Sequence, residues 1–105
     1  MSPRFLPNAS LETLKLRSRL IASLREFFRA NGYWECETPI LSREVIVDAN
    51  LDPFATHDVT GGPYYLQTSP EAGMKRLLSA GADAIFQITR AMRRGETGRF
   101  HNPEF

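Results

Sequence analysis

The sequence predicts an α+β fold in which flanking helices lie against an antiparallel sheet. Three observations carry this: one long amphipathic helical pattern near the start, short aromatic and β-branched runs bounded by turn signals, and no glycine-rich turn after a strand. The order helix, strand, loop, strand, helix, strand, loop suits an antiparallel sheet better than a doubly wound parallel one. Without a glycine-rich turn there is neither a dinucleotide fingerprint nor a P-loop, so side chains must hold any nucleotide.

Residues 1–10, with Pro3, Pro7, Asn8 and Ser10, read as an irregular arm. Ser10 is placed to cap a helix, with Glu12 favourable for its dipole. Leu14, Leu20, Ile21, Leu24, Phe27 and Phe28 keep a period near 3.6 from Leu11 to Ala30, and Asn31-Gly32 ends the run. Tyr33 to Thr38 alternates like a strand that Pro39 stops. Ser42 to Phe54 has no clear period, although Val45-Ile46-Val47 suits a brief pairing. Gly61-Gly62-Pro63 signals a turn, and Tyr64 to Thr68 a strand. Ser69-Pro70-Glu71 has the order of a helix start, and that helix runs through Met74, Leu77 and Leu78 to Gly81. Ala84 to Thr89 reads as a further strand and Arg93 to Arg99 as a loop.

At 105 residues and 11.9 kDa the chain has the length of one small domain. Its 42% apolar and 24% charged content is that of an ordered globular chain. A single cysteine, Cys36, excludes an internal disulfide and a cysteine-only zinc site. No apolar run approaches the roughly 20 residues of a membrane span, and Met1-Ser2-Pro3-Arg4 precedes no signal-peptide core, so the expected compartment is cytoplasmic. The net charge of +1 argues against a strongly basic nucleic-acid binder but hides segregation. Lys15, Arg17, Arg19, Arg25 and Arg29 crowd the first helix, acids crowd Glu35 to Asp58, and four arginines lie between Arg90 and Arg99. The first block reads as a solvated helix face. The last lies among turn residues.

That last block offers chemistry to an anion. Arg93 follows a strand, and a guanidinium anchored there can make bidentate bonds to a phosphate. His101, Asn102 and Phe105 add a titratable donor, an amide and an aromatic face, a set able to clamp a nucleotide. Composition by itself favours a basic surface loop, and both readings stand. Glu71 is a counter-charge for a substrate ammonium group or simply a helix-dipole partner. His57 reads as an exposed loop residue, Cys36 as core rather than a nucleophile since no basic residue lies nearby in sequence, and Trp34 with the first-helix phenylalanines as core or interface.

Two runs then carry a family resemblance. Gly32-Tyr33-Trp34-Glu35-Cys36-Glu37-Thr38-Pro39 resembles motif 1 of the class II aminoacyl-tRNA synthetases, and Ile85 to Arg93 followed by His101 to Phe105 resembles motif 2. Thr68-Ser69-Pro70-Glu71 with Met74-Lys75-Arg76-Leu77 is similar to the lysine-specific branch, including the spacing from Glu71 to Arg93. Residues 11–105 would be the N-terminal part of a class II catalytic domain: the motif 1 helix and strand and the first half of motif 2, truncated before motif 3. Two branches fit, the lysyl-tRNA synthetases and the shorter enzymes that attach lysine or β-lysine to a lysine of elongation factor P. The short stretch before motif 1 and the loop Gly95 to Phe100 favour the second.

The resemblance implies an aminoacyl-adenylate made from ATP and the amino acid. Arg93 would hold the α-phosphate, with Arg94, Gly95, Glu96, His101 and Asn102 around the nucleotide and Phe105 stacked on adenine. Ser69, Pro70 and Glu71 would bind the amino acid, Glu71 through its amino group. The motif 1 helix, by Leu20, Leu24, Phe27 and Phe28, would form a homodimer with the strand and Pro39. Mg²⁺ is expected with ATP, although its ligands are not in this chain, and tRNA binding is not expected without an anticodon-binding domain. Gly95 stands where motif 2 usually has an acid, with Glu96 one position later, and Met92 where an aromatic is usual. These 105 residues alone are expected to be inactive. The alternatives are part of a lysyl-tRNA synthetase, or a non-catalytic protein that dimerises through motif 1.

Overall fold

Ser10 sets the start of the first helix. Its Oγ accepts the Thr13 N–H at 3.1 Å, which satisfies one of the donors a helix N-terminus leaves open. Helix α1 spans Leu11–Ala30, the span the periodicity predicts. Gly32 takes φ +87° beyond its end, while the Asn31 amide donates to the Phe27 carbonyl at 2.8 Å and Tyr33 N–H to Phe28 O at 2.9 Å. The Phe28 ring meets Tyr33 edge-on at 5.7 Å between centroids.

The computed structural model describes residues 5–44, 53–58 and 61–94. They fall into two units, Met1–Trp34 and Glu35–Phe105. The first is essentially α1, none of whose residues is buried. Leu20, Leu24 and Phe27 are all exposed, as are the basic residues Lys15, Arg19 and Arg29, and Arg29 pairs with Glu26 at 2.8 Å.

Strand β1 is Trp34–Glu35, β2 Leu41–Ser42, β3 Ala55–Asp58 and β4 Gly61–Leu66; helix α2 is Glu71–Ser79 and β5 Ile85–Phe86. Strands β1 and β5 are shorter than their sequence runs, whereas β4 starts earlier and stops sooner than the Tyr64 to Thr68 run. From Glu35 onward β1 lies beside β5, and Cys36 N–H donates to Phe86 O at 2.9 Å. That ladder stops at Thr38 because its N–H goes to a side chain, Gln87 Oε1 at 2.9 Å, and Pro39 has no N–H to give. Gln87 Nε2 returns a bond to Thr38 Oγ1 at 3.0 Å, which turns the end of β5 from ladder to side-chain pairing.

The second sheet has the antiparallel order β2-β4-β3. Gly61-Gly62-Pro63 lies inside β4 rather than forming a turn, and His57 sits on β3, exposed, rather than in a loop. Proline is tolerated there because β2 pairs only with Tyr65 and Leu66, past the Pro63 position. The Val45-Ile46-Val47 pairing and the loop from Gly95 lie outside the described residues.

Helix α2 begins within the Ser69-Pro70-Glu71 run but one residue later than that order predicts, with Pro70 at the cap position and Glu71 the first helical residue. Ser69 Oγ accepts the Glu71 N–H at 3.2 Å, and the Pro70 carbonyl accepts Met74 N–H at 3.0 Å. The helix approaches Thr38 so closely that a Cβ on Gly73 would sit 2.8 Å from Thr38 Cβ. Cys36, Thr68, Pro70, Phe86 and Ala91 are the buried residues among those described. Burial pushes the Cys36 thiol above its ordinary value, helped by the nearby Glu35 charge and opposed by a backbone hydrogen bond. It is a core residue, as its place in the alternating run implies.

Candidate functional site

The segment between β4 and α2 carries the residues of interest. Beyond Leu66 the strand ends, but Gln67 is still bonded through its main chain on both sides. Gln67 N–H donates to Ile40 O at 2.8 Å, and Gln67 O accepts Met92 N–H at 2.9 Å. One residue on, the Thr68 carbonyl accepts Arg93 Nε at 3.0 Å, and Thr68 itself is only 2% exposed. Two stretches 25 residues apart are thereby locked in register. Arg93 is brought to the foot of the Ser69-Pro70-Glu71 turn.

A guanidinium whose Nε is fixed by a buried carbonyl has its plane set before any ligand arrives, which favours recognition of planar or multidentate anions. Glu71 opens α2 with its carboxylate 2.9 Å from Lys75 Nζ, an exposed pair one turn apart. Ser69 and Pro70 line an open cavity of about 220 Å³, together with Thr38, Pro39, Gln67 and Gly73. Its rim carries the exposed pair Arg76–Glu44 at 3.3 Å.

Gln67 also shapes this wall by its side chain. Nε2 donates to Ser42 Oγ at 3.1 Å and to the Glu44 carbonyl at 3.0 Å, while Ser42 Oγ donates to that same carbonyl. The sequence reading passed over Gln67, Gln87 and Thr38. The available signal was a glutamine within each apolar strand run, where a polar side chain needs a partner.

Of the residues singled out from sequence, Ser69, Pro70 and Glu71 are consecutive at the start of α2, and Arg93 is bonded to the residue just before them, with Arg94 following directly. Ser69 and Pro70 line the cavity, whereas Glu71 and Arg93 are not among its lining residues. Gly95, Glu96, His101, Asn102 and Phe105 lie outside the described residues. Among the described residues no three His, Cys, Asp or Glu side chains converge as a metal site. No described helix is long and apolar enough to cross a membrane.

The chain belongs to the class II tRNA synthetases (D, K and N), whose profile matches residues 5–105. Its fold is an α+β portion of that catalytic domain. Within the family it is similar to enzymes named elongation factor P–(R)-beta-lysine ligase. It is 45% identical to that of Buchnera aphidicola over its whole length, 49% to that of Pseudoalteromonas translucida over 94%, and 43% to that of Vibrio parahaemolyticus over its whole length. The chain covers 34%, 32% and 34% of these relatives, about a third of their length.

Proposed function

We propose that the chain is the N-terminal part of a cytoplasmic ligase that activates lysine or β-lysine with ATP and transfers it to a lysine of elongation factor P. The observation that supports this reading is the Arg93 Nε bond to the Thr68 carbonyl at 3.0 Å, which holds Arg93 at the residue before Ser69-Pro70-Glu71. The names of its relatives support the same substrate and acceptor.

The amino-acid carboxylate attacks the α-phosphorus of ATP, the α–β phosphoanhydride bond breaks and pyrophosphate leaves. The acceptor lysine amine then takes the acyl group from the aminoacyl-adenylate and AMP leaves. Arg93 binds the α-phosphate and stabilises the negative charge that grows on it, with no reorientation needed during the step. Arg94, Gly95, Glu96, His101, Asn102 and Phe105 hold the rest of the nucleotide. Glu71 exchanges its Lys75 contact for the substrate ammonium group, a swap that costs little because the exposed pair is weak. Ser69 and Pro70 shape the pocket around it. Mg²⁺ would accompany the ATP and offset the charge of its phosphates. A homodimer forms through Leu20, Leu24, Phe27 and Phe28 of α1.

The test is to express the full reading frame and assay ATP–pyrophosphate exchange with lysine and with (R)-β-lysine. Acylation of elongation factor P and of lysine tRNA is measured in parallel. Exchange followed by acylation of the protein supports the reading. Acylation of tRNA alone favours a lysyl-tRNA synthetase, and no exchange with either amino acid favours a non-catalytic dimerisation protein.

A further inference from the structure

We propose that Gln67 is a positioning residue that holds the wall of the amino-acid pocket through its side chain and the Met92-Arg93 segment through its main chain. The inference deepens the proposed ligase activity and rests on it. Gln67 divides its hydrogen bonds between two jobs. Its N–H and C=O join Ile40 on one side to Met92 on the other, and Arg93 follows Met92 directly onto the Thr68 carbonyl. Its Nε2 instead reaches Ser42 Oγ at 3.1 Å and Glu44 O at 3.0 Å. Those two acceptors fix the course of the chain after β2, and Ser42, Glu44 and Gln67 line the same cavity as Ser69 and Pro70.

The division gives a specific expectation. A side-chain substitution leaves the main-chain bonds to Ile40 and Met92 in place, so the Arg93 register is kept. It releases Ser42 and Glu44, so the wall beside Ser69 and Pro70 loses its support. The amino-acid side of the site is then affected and the phosphate side is not. A residue that only stabilised the fold would weaken both.

Gln67→Met keeps the length of the side chain and deletes its donors. Gln67→Met, Ser42→Ala and the double variant are made in the protein expressed from its full reading frame, and KM for lysine and for ATP are measured by pyrophosphate exchange. Gln67→Met is expected to raise the lysine KM about tenfold, the order of one net hydrogen bond. ATP KM and the melting temperature are expected to stay close to wild type. The double variant is expected to match Gln67→Met alone, because both changes remove the same support. A wild-type lysine KM in Gln67→Met overturns the proposal, and so does an equal rise in both KM values with a lowered melting temperature. A wild-type protein without lysine- or β-lysine-dependent exchange overturns instead the ligase reading beneath it.

Discussion

The guanidinium of Arg93 is bound through Nε to the carbonyl oxygen of Thr68 at 3.0 Å, directly before the Ser69-Pro70-Glu71 turn. This bond joins the two parts of the candidate site, since one partner is the arginine assigned to phosphate and the other leads into the segment assigned to the amino acid. With Thr68 almost fully buried, the acceptor is shielded from water, and a charge-assisted bond there is stronger than at the surface.

Glu71→Gln is expected to raise the KM for lysine with little change in the KM for ATP, measured by exchange in the protein from the full reading frame. The melting temperature should hardly move, because the Glu71–Lys75 pair is exposed and such pairs contribute a few tenths of a kcal/mol at most. An unchanged lysine KM removes Glu71 from the site.

Gly73→Ala tests the approach of α2 to the sheet. The added Cβ meets Thr38 Cβ at 2.8 Å, and Thr38 cannot retreat freely because Gln87 holds both its N–H and its hydroxyl. Overpacking of this kind costs on the order of 1–3 kcal/mol. Urea unfolding should show the loss, and wild-type stability would mean that the helix start can shift.

Long elements were legible in the sequence and short strands were not. Helix α1 runs from Leu11 to Ala30 because its cap, period and terminator all agree. Ser69-Pro70-Glu71 marked the start of α2 for the same reason. Strands β2 and β3 escaped notice because two- and four-residue strands are fixed by pairing with β4 rather than by local pattern. Gly61-Gly62-Pro63 misled for a related reason, since turn chemistry is compatible with an unpaired strand edge. In the site, residue types pointed to Arg93 and Glu71. The bonds of Gln67 to Ser42 and Glu44 span 25 and 23 positions, and no local spacing reports a contact at that distance.

The Cys36 thiol gives a pH signature. Its value in the folded protein is raised above the ordinary 9.0, so the folded state keeps its proton while the unfolded chain ionises. This contribution is fully present below pH 9 and is lost as pH rises through the raised value. Unfolding free energies at pH 7 and above pH 9 should fall less steeply with pH in Cys36→Ala than in wild type. Parallel slopes would contradict the assignment of Cys36 to the core.

Helix α1 exposes Leu24 and Phe27, and a homodimer would bury them. Leu24→Glu with Phe27→Glu should convert a dimer to a monomer in sedimentation. A wild-type protein that is monomeric at high concentration would contradict the dimer.

The most direct measurement of the central claim is lysine-dependent ATP–pyrophosphate exchange by Arg93→Ala and Arg93→Lys in the protein from the full reading frame. Loss of a preorganised donor to the α-phosphate should lower kcat by about 10²–10³ in Arg93→Ala. Arg93→Lys should remain strongly impaired, because a single ammonium cannot keep both the Thr68 carbonyl and a phosphate in the geometry of the guanidinium fork. A wild-type kcat in Arg93→Ala would contradict the site built around Arg93 and Thr68.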